Sequence, residues 1–150
     1  MKPNAKTQTG IILWTVCACA IHILLFRSKL DISLPIPQRL AFAVLAVVAT
    51  LPLHETLHWV CMKLLGMPHA RIEFAKDPLG LPSLRAIAQG FVTGWKRIVL
   101  YLTPFLLLTV VPDILFLLNA QVHFLFFIMA MCNAAGCYFD LVAVLQKPQK

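Results

Sequence analysis

The chain has 150 residues, of which 60% are hydrophobic and 13% charged, against about half and a quarter in a soluble domain. That composition excludes an ordinary water-soluble fold and points to a single domain lying in a bilayer. The net charge of +7 is not a nucleic-acid signature, because the Lys and Arg residues stand at the ends of apolar runs and form no stripe. Lipid head groups and topology account for them, and no nucleic-acid partner is expected.

Residues 1–9 form a short polar lead. An apolar run from Gly10 to Phe26 follows, near the short limit of the roughly 20 residues that a membrane span requires. It leads into Arg27-Ser28-Lys29 without a small-residue cleavage site, so it is expected to remain as a span and not to act as a cleaved signal. After a polar, proline-containing link over 27–39, the second run, Leu40 to Gly66, is long enough to tilt. Pro52 is expected to loosen it. The 30 residues from Met67 to Lys96 are the only substantial extramembrane piece. Arg71-Ile72-Glu73-Phe74 alternates in polarity, Lys76-Asp77-Pro78-Leu79-Gly80 reads as a turn, and Leu81 to Ile87 returns as a second strand. Two further spans, Ile98 to Ala120 with Pro104 and Val122 to Leu145, are separated by almost nothing and form a tight hairpin. The predicted fold is therefore an all-α membrane protein, four transmembrane helices with a small β-hairpin loop between the second and third.

With four spans, ten basic residues share the side of the two termini and the long loop, and three lie opposite. The positive-inside rule then places both termini in the cytoplasm of a multi-pass cell-membrane protein. The five cysteines, Cys17, Cys19, Cys61, Cys132 and Cys137, all fall in apolar segments and read as small reduced side chains, not as a disulfide framework. Trp14, Trp59, Trp95 and Tyr101 read as interfacial or packing aromatics, and His22, His69 and His123 as packing or interfacial residues.

The chemistry is concentrated in the inner half of the second span, in Pro52-Leu53-His54-Glu55-Thr56-Leu57-His58. This is the HExxH pattern: on a helix, the i, i+4 spacing puts both imidazoles on one face, able to chelate one Zn²⁺, with the Glu placed to act on a water. Three polar side chains at this depth cost several kcal/mol on insertion scales, on the order of 3 kcal/mol each, which a metal would offset. A catalytic zinc usually takes a third protein ligand. The extended HExxHxxGxxH pattern fails, because Cys61 stands at its glycine position and Leu64 at its last histidine. The second and fourth spans run the same way, so depths can be compared. Asp140 lies about 10 Å from the end of its helix and His58 about 12 Å from the end of its own. Asp31 and Asp113 belong near the outer surface, and Glu73 and Asp77 to the loop, so Asp140 is the carboxylate at the right depth. Cys61, one turn beyond His58, is an alternative soft ligand. Asn133, seven residues before Asp140, shares its face. It is a candidate to bind a substrate carbonyl or oxyanion, and equally a candidate for an interhelical hydrogen bond.

With His54-Glu55-Xaa-Xaa-His58 in one span and Asn133 to Asp140 in a later one, the chain resembles the site-2-protease class of intramembrane zinc metalloproteases. It is most similar to short bacterial membrane proteins classed as zincin peptidases, whose third span opens on Lys/Arg and carries a proline, as Lys96-Arg97 and Pro104 do here. The resemblance covers residues 40–145 and implies His54, His58 and Asp140 as zinc ligands, Glu55 as general base and Asn133 as a substrate-positioning residue. It also implies a bacterial inner-membrane location. Where the better-known members have a proline after the Asn and a glycine after the Asp, this chain has Gly136 and Leu141. The expected activity is zinc-dependent hydrolysis of peptide bonds in membrane-protein or peptide substrates in or beside the lipid bilayer, with substrate received at the edge strand Arg71 to Phe74. Without an appended regulatory module, regulation would need a partner protein. The competing expectation is a non-catalytic zinc-binding adaptor, in which a closed metal site only fastens two spans together.

Overall fold

A computed structural model of the protein describes residues 5–27, 35–76, 82–90, 92–118 and 124–145. The expected turn at 77–80, the tight connection at 119–123, and Asp31, Asp77 and His123 lie outside the described residues.

Helix α1 runs over Ala5–Phe26 and α2 over Ile36–Leu64. Strands β1 (Arg71–Lys76) and β2 (Pro82–Ile87) pair antiparallel, with Ile72 opposite Ala86 and Glu73 opposite Arg85. Helix α3 (Gly94–Phe105) passes through a π-helical turn, Leu106–Val110, into α4 (Val111–Leu118). The chain ends in α5 (Phe124–Gly136) and α6 (Tyr138–Leu145). The hairpin expected between the second and third apolar stretches is thus present, with the start of its return, Leu81, outside the described residues. Three helical stretches are long and apolar enough to cross a bilayer: Thr7–Phe26, Ile36–Leu64 and Gly94–Leu118. The pair α5 and α6 passes that test only when taken together across a 45° bend. Large apolar side chains such as Ile12, Leu24, Val48 and Leu51 point outward from α1 and α2, which is compatible with a membrane protein.

Three departures from regular helix shape the bundle. At the end of α2, Gly66 adopts φ +71°, and the Gly66 and Met67 amides donate to Lys63 and Met62 carbonyls at 3.1 and 2.9 Å. This pair of bonds stops a helix at a left-handed residue that glycine adopts without strain. In α3, Pro104 offers no N–H to the carbonyl of Leu100 four residues earlier, and the π turn begins two residues later. The helical repeat is interrupted again at Cys137, between α5 and α6. Pro52, by contrast, is accommodated inside an unbroken α2, with the Thr56 hydroxyl donating to its carbonyl at 2.6 Å.

Helix α2 packs most extensively on α5 and also on α3 and β2, while α1 lies over α5. At the Phe26 end of α1, the rings of Phe26, Phe116 and Phe127 form an edge-on cluster, with Phe26 and Phe116 centroids 5.0 Å apart. The buried His22 ring faces Asp113 there, Nε2 to Oδ2 at 3.1 Å, so Asp113 is engaged far along the chain from the HExxH segment. A second cluster, Cys61, Met62, Ala70 and Leu100, seats the hairpin and the start of α3 against the end of α2. The Trp59 indole donates to the Ala70 carbonyl at 3.2 Å. The HExxH segment sits just above this cluster, with its neighbours on three sides already fixed.

Candidate metal centre

One helical turn apart on α2, His54 and His58 turn their Nε2 atoms toward each other, 3.1 Å apart. Asp140 of α6 spans the pair: Oδ2 lies 2.9 Å from His54 Nε2 and Oδ1 3.3 Å from His58 Nε2. All three side chains are largely enclosed, at 13%, 7% and 13% relative exposure for His54, His58 and Asp140.

The partners of the other imidazole nitrogens decide what this cluster needs. His58 Nδ1 lies 3.0 Å from the Leu100 carbonyl, the oxygen that Pro104 leaves without a helical donor. A carbonyl only accepts, so Nδ1 carries the proton and Nε2 presents a lone pair. His54 Nδ1 lies 2.9 Å from Asn133 Oδ1. The amide of Asn133 is oriented by its other end, whose Nδ2 donates to the Pro104 carbonyl and to Thr109 Oγ1, both at 3.0 Å. Thr109 in turn donates to the Ala130 carbonyl at 3.3 Å. His54 Nδ1 therefore also carries a proton, which in the neutral ring leaves its Nε2 as a second lone pair. With both rings neutral, two lone pairs and a carboxylate converge within about 3 Å with no donor among them, a repulsion that a cation at the centre, or a proton on the imidazole facing Asp140, relieves. Tetrahedral zinc with ligand bonds near 2.0–2.1 Å would set its ligand atoms roughly 3.3 Å apart, and the observed separations are close to that. The residues fit zinc by chemistry and by spacing, and the carbonyl and amide behind the two imidazoles are the outer partners that metal-bound histidines normally have.

Among the described residues, His54, His58 and Asp140 form the one group of three able to hold a metal. The depth argument for Asp140 thus led to the carboxylate that the fold brings to the histidines. Cys61 is elsewhere, buried against Met62, Ala70 and Leu100. Glu55 is not in the group: its Oε2 accepts the Ala86 N–H of β2 at 2.7 Å. Asn133 is 1% exposed and does not line the cavity, its amide being spent on His54, Pro104 and Thr109. The interhelical alternative is the role seen.

A cavity of about 350 Å³ opens beside the cluster, bounded by His54, Glu55, His58 and Asp140 together with Arg85 and Tyr101. The last two escaped sequence reading, as did Ala86. Tyr101 stacks edge-on to His58, centroids 5.9 Å apart. It looked like an interfacial aromatic because nothing in sequence ties it to a histidine 43 positions earlier. The strand beside the site is β2, whereas β1, Arg71 to Phe74, had been expected to receive substrate. The inner position falls to β2 because its Ala86 amide points away from β1, toward α2.

Residues 47–149 match the profile of a family described as "putative zincin peptidase". The chain belongs to this family. A zincin takes zinc at a histidine pair, and His54, His58 and Asp140 form a group that could hold such an ion. No curated protein and no solved structure gave a match. The matched region contains every residue of the proposed zincin site and leaves out α1 and the first part of α2.

Two measurements on the purified chain check the ligand set. Asp140→Ala should lower zinc affinity by at least tenfold and reduce thermal stability in detergent, while Cys61→Ala keeps its zinc. The reverse pattern would move the site to the thiol. Pro104→Ala restores an N–H that competes with His58 for the Leu100 carbonyl, so zinc affinity should fall about tenfold, the usual effect of losing an outer partner. Unchanged affinity would mean that His58 does not depend on that carbonyl.

Proposed function

We propose that the protein is a zinc-dependent endopeptidase of the cell membrane, built on four spans with α5 and α6 as one bent span, which cuts peptide bonds of membrane-protein or peptide substrates in or near the bilayer. The observation that carries this reading is the convergence of His54, His58 and Asp140 on one point in a cavity that Glu55 also lines, in a chain of the zincin peptidase family. Zinc held by these three residues supplies Lewis acidity and makes water nucleophilic at neutral pH.

The chain's own residues then have separate tasks. Glu55, beside the ligands but not among them, takes the proton of the attacking water and passes it to the leaving amine. The Ala86 amide holds one oxygen of that carboxylate and so fixes its plane. Asn133 and the Leu100 carbonyl hold the two imidazoles in the tautomer that keeps their lone pairs on the cavity side. An extended substrate segment would lie along β2, the strand that reaches the site, adding backbone hydrogen bonds on the side away from β1 at positions other than Ala86, whose N–H Glu55 holds, as in β-augmentation. Peptide bonds inside a helix are shielded by their own hydrogen bonds, so such a substrate unwinds locally first.

The reading of a purely structural metal requires a closed shell with a fourth protein ligand. What speaks against it is that Cys61 lies in another cluster and that the described group has three members beside an open cavity.

Glu55→Gln should abolish cleavage of a transmembrane peptide while zinc content stays at that of the native chain. Wild-type cleavage by this variant would remove Glu55 from the mechanism, and loss of zinc would make it a ligand. The ten-to-three distribution of basic residues also predicts sidedness. A single-cysteine reporter at Asp77 should be labelled from the cytoplasmic face and one at Ser33 from the opposite face, and swapped labelling would invert the topology.

A further inference from the structure

We propose that Trp14, on the helix that lies outside the family match, is a positioning residue of the metal site: its indole N–H holds the bend that aims Asp140 at the two histidines. The inference rests on the metal-site reading above.

Asp140 sits in the first turn of α6, an eight-residue helix too short to hold its own orientation. Its direction is set by the break at Cys137. The backbone bonds on either side of that break persist, Cys137 N–H to the Asn133 carbonyl and Leu141 N–H to the Cys137 carbonyl, each at 3.0 Å. Because helical structure stops at Gly136 and resumes at Tyr138, the helical bonds interrupted between those two include the one from Tyr138 N–H to the Ala134 carbonyl. Ala134 is 2% exposed, among packed apolar helices, where an unsatisfied carbonyl costs several kcal/mol, on the order of that for any buried polar group. The donor that reaches it is Trp14 Nε1, 2.7 Å away and 120 residues earlier in the chain. Closing the bend to restore the helical bond would expel the indole, so the Trp14 contact and the bent state stabilise each other.

A second contact places α1 at the same joint. Gly10, one turn before Trp14, lies so close to Tyr138 that a Cβ there would meet the phenol oxygen. The first residue of α6 is thus seated against α1 by shape, and the last carbonyl of the bend by a hydrogen bond. Helix α1 contributes no atom to the cavity. It acts through α6.

The test measures zinc affinity of the full-length protein in detergent by competition with a chromogenic chelator. Trp14→Phe keeps the aromatic bulk and removes the donor. Should that variant fold poorly, site-specific incorporation of β-(3-benzothienyl)alanine at position 14 replaces the N–H by sulfur with the ring shape unchanged. Both changes should weaken zinc about tenfold and alter the visible spectrum of the cobalt(II) form. In an Asp140→Ala background the same changes should cost less than about twofold, because their effect travels through Asp140. Native zinc affinity in the Trp14 variants, or an equal loss in both backgrounds, would overturn the proposal while leaving the metal site standing. If Asp140→Ala alone binds zinc as tightly as the native chain, the ligand set itself is wrong and this role for Trp14 falls with it.

Discussion

A backbone carbonyl that loses its helical N–H inside an apolar bundle has no water to turn to, and another donor must be supplied. Much of this protein's site follows from that constraint. Pro104 deprives the Leu100 carbonyl of its partner, and His58 Nδ1 takes the place. The break at Cys137 does the same to Ala134, and Trp14 answers it. The Pro104 carbonyl, at the entry to the π turn, accepts the Asn133 amide. Irregular backbone is thus not incidental here, since the Pro104 interruption and the Cys137 break each present an acceptor that meets a side chain on a neighbouring helix.

Direction is what matters for the metal. Hydrogen bonds run from the Thr109 hydroxyl to Ala130, from the Asn133 amide to Thr109 and Pro104, and from the His54 ring to Asn133. Every donor in that relay points away from the cavity, so His54 turns Nε2 toward it, and the Leu100 carbonyl turns His58 the same way. The orientation of the groups gathered between His54, His58 and Asp140 is therefore set in part by hydrogen bonds to the residues behind them. Glu55 belongs to a different arrangement. Its carboxylate answers to the β2 amide, so the proposed base is positioned by the hairpin and the proposed ligands by the helices, and hairpin movement would alter the first while leaving the second in place.

The parts of this design that were legible in the sequence are those set by a single helix. The i, i+4 spacing of His54 and His58 is local geometry, and helical rise carried the argument to Asp140 because two spans running the same way share a depth scale. The hairpin was legible from its alternation and turn residues. What could not be read depends on how elements are rotated and registered against one another. Asn133 offered two roles because its face was known but not the neighbour that face meets. Tyr101 and Arg85 reach the cavity only because α3 and β2 dock on α2. The choice of β2 over β1 as the inner strand turns on which way the Ala86 amide points, a matter of one residue of register. Pro52 and Pro104, alike as helix breakers in sequence, part company in the fold: one is absorbed by α2, and the other opens a π turn.

The three ligands are also held unequally. His54 and His58 ride on one unbroken helix of 29 residues, and their separation is fixed by its pitch. Asp140 rides on eight residues beyond a bend, and neither side of that bend determines its angle alone. The far end of α6 is fastened by Arg97 Nη2, which donates to the Val144 carbonyl at 3.1 Å, a cation at a helix C-terminus where the backbone dipole favours it. Its near end is fastened through Ala134 and Tyr138 to α1. The carboxylate is thereby suspended between two attachments from separate helices, one within the family's matched region and one outside it. A histidine pair on a rigid helix chelates weakly by itself, so the affinity of the site depends on how well these two attachments agree on where Asp140 lies.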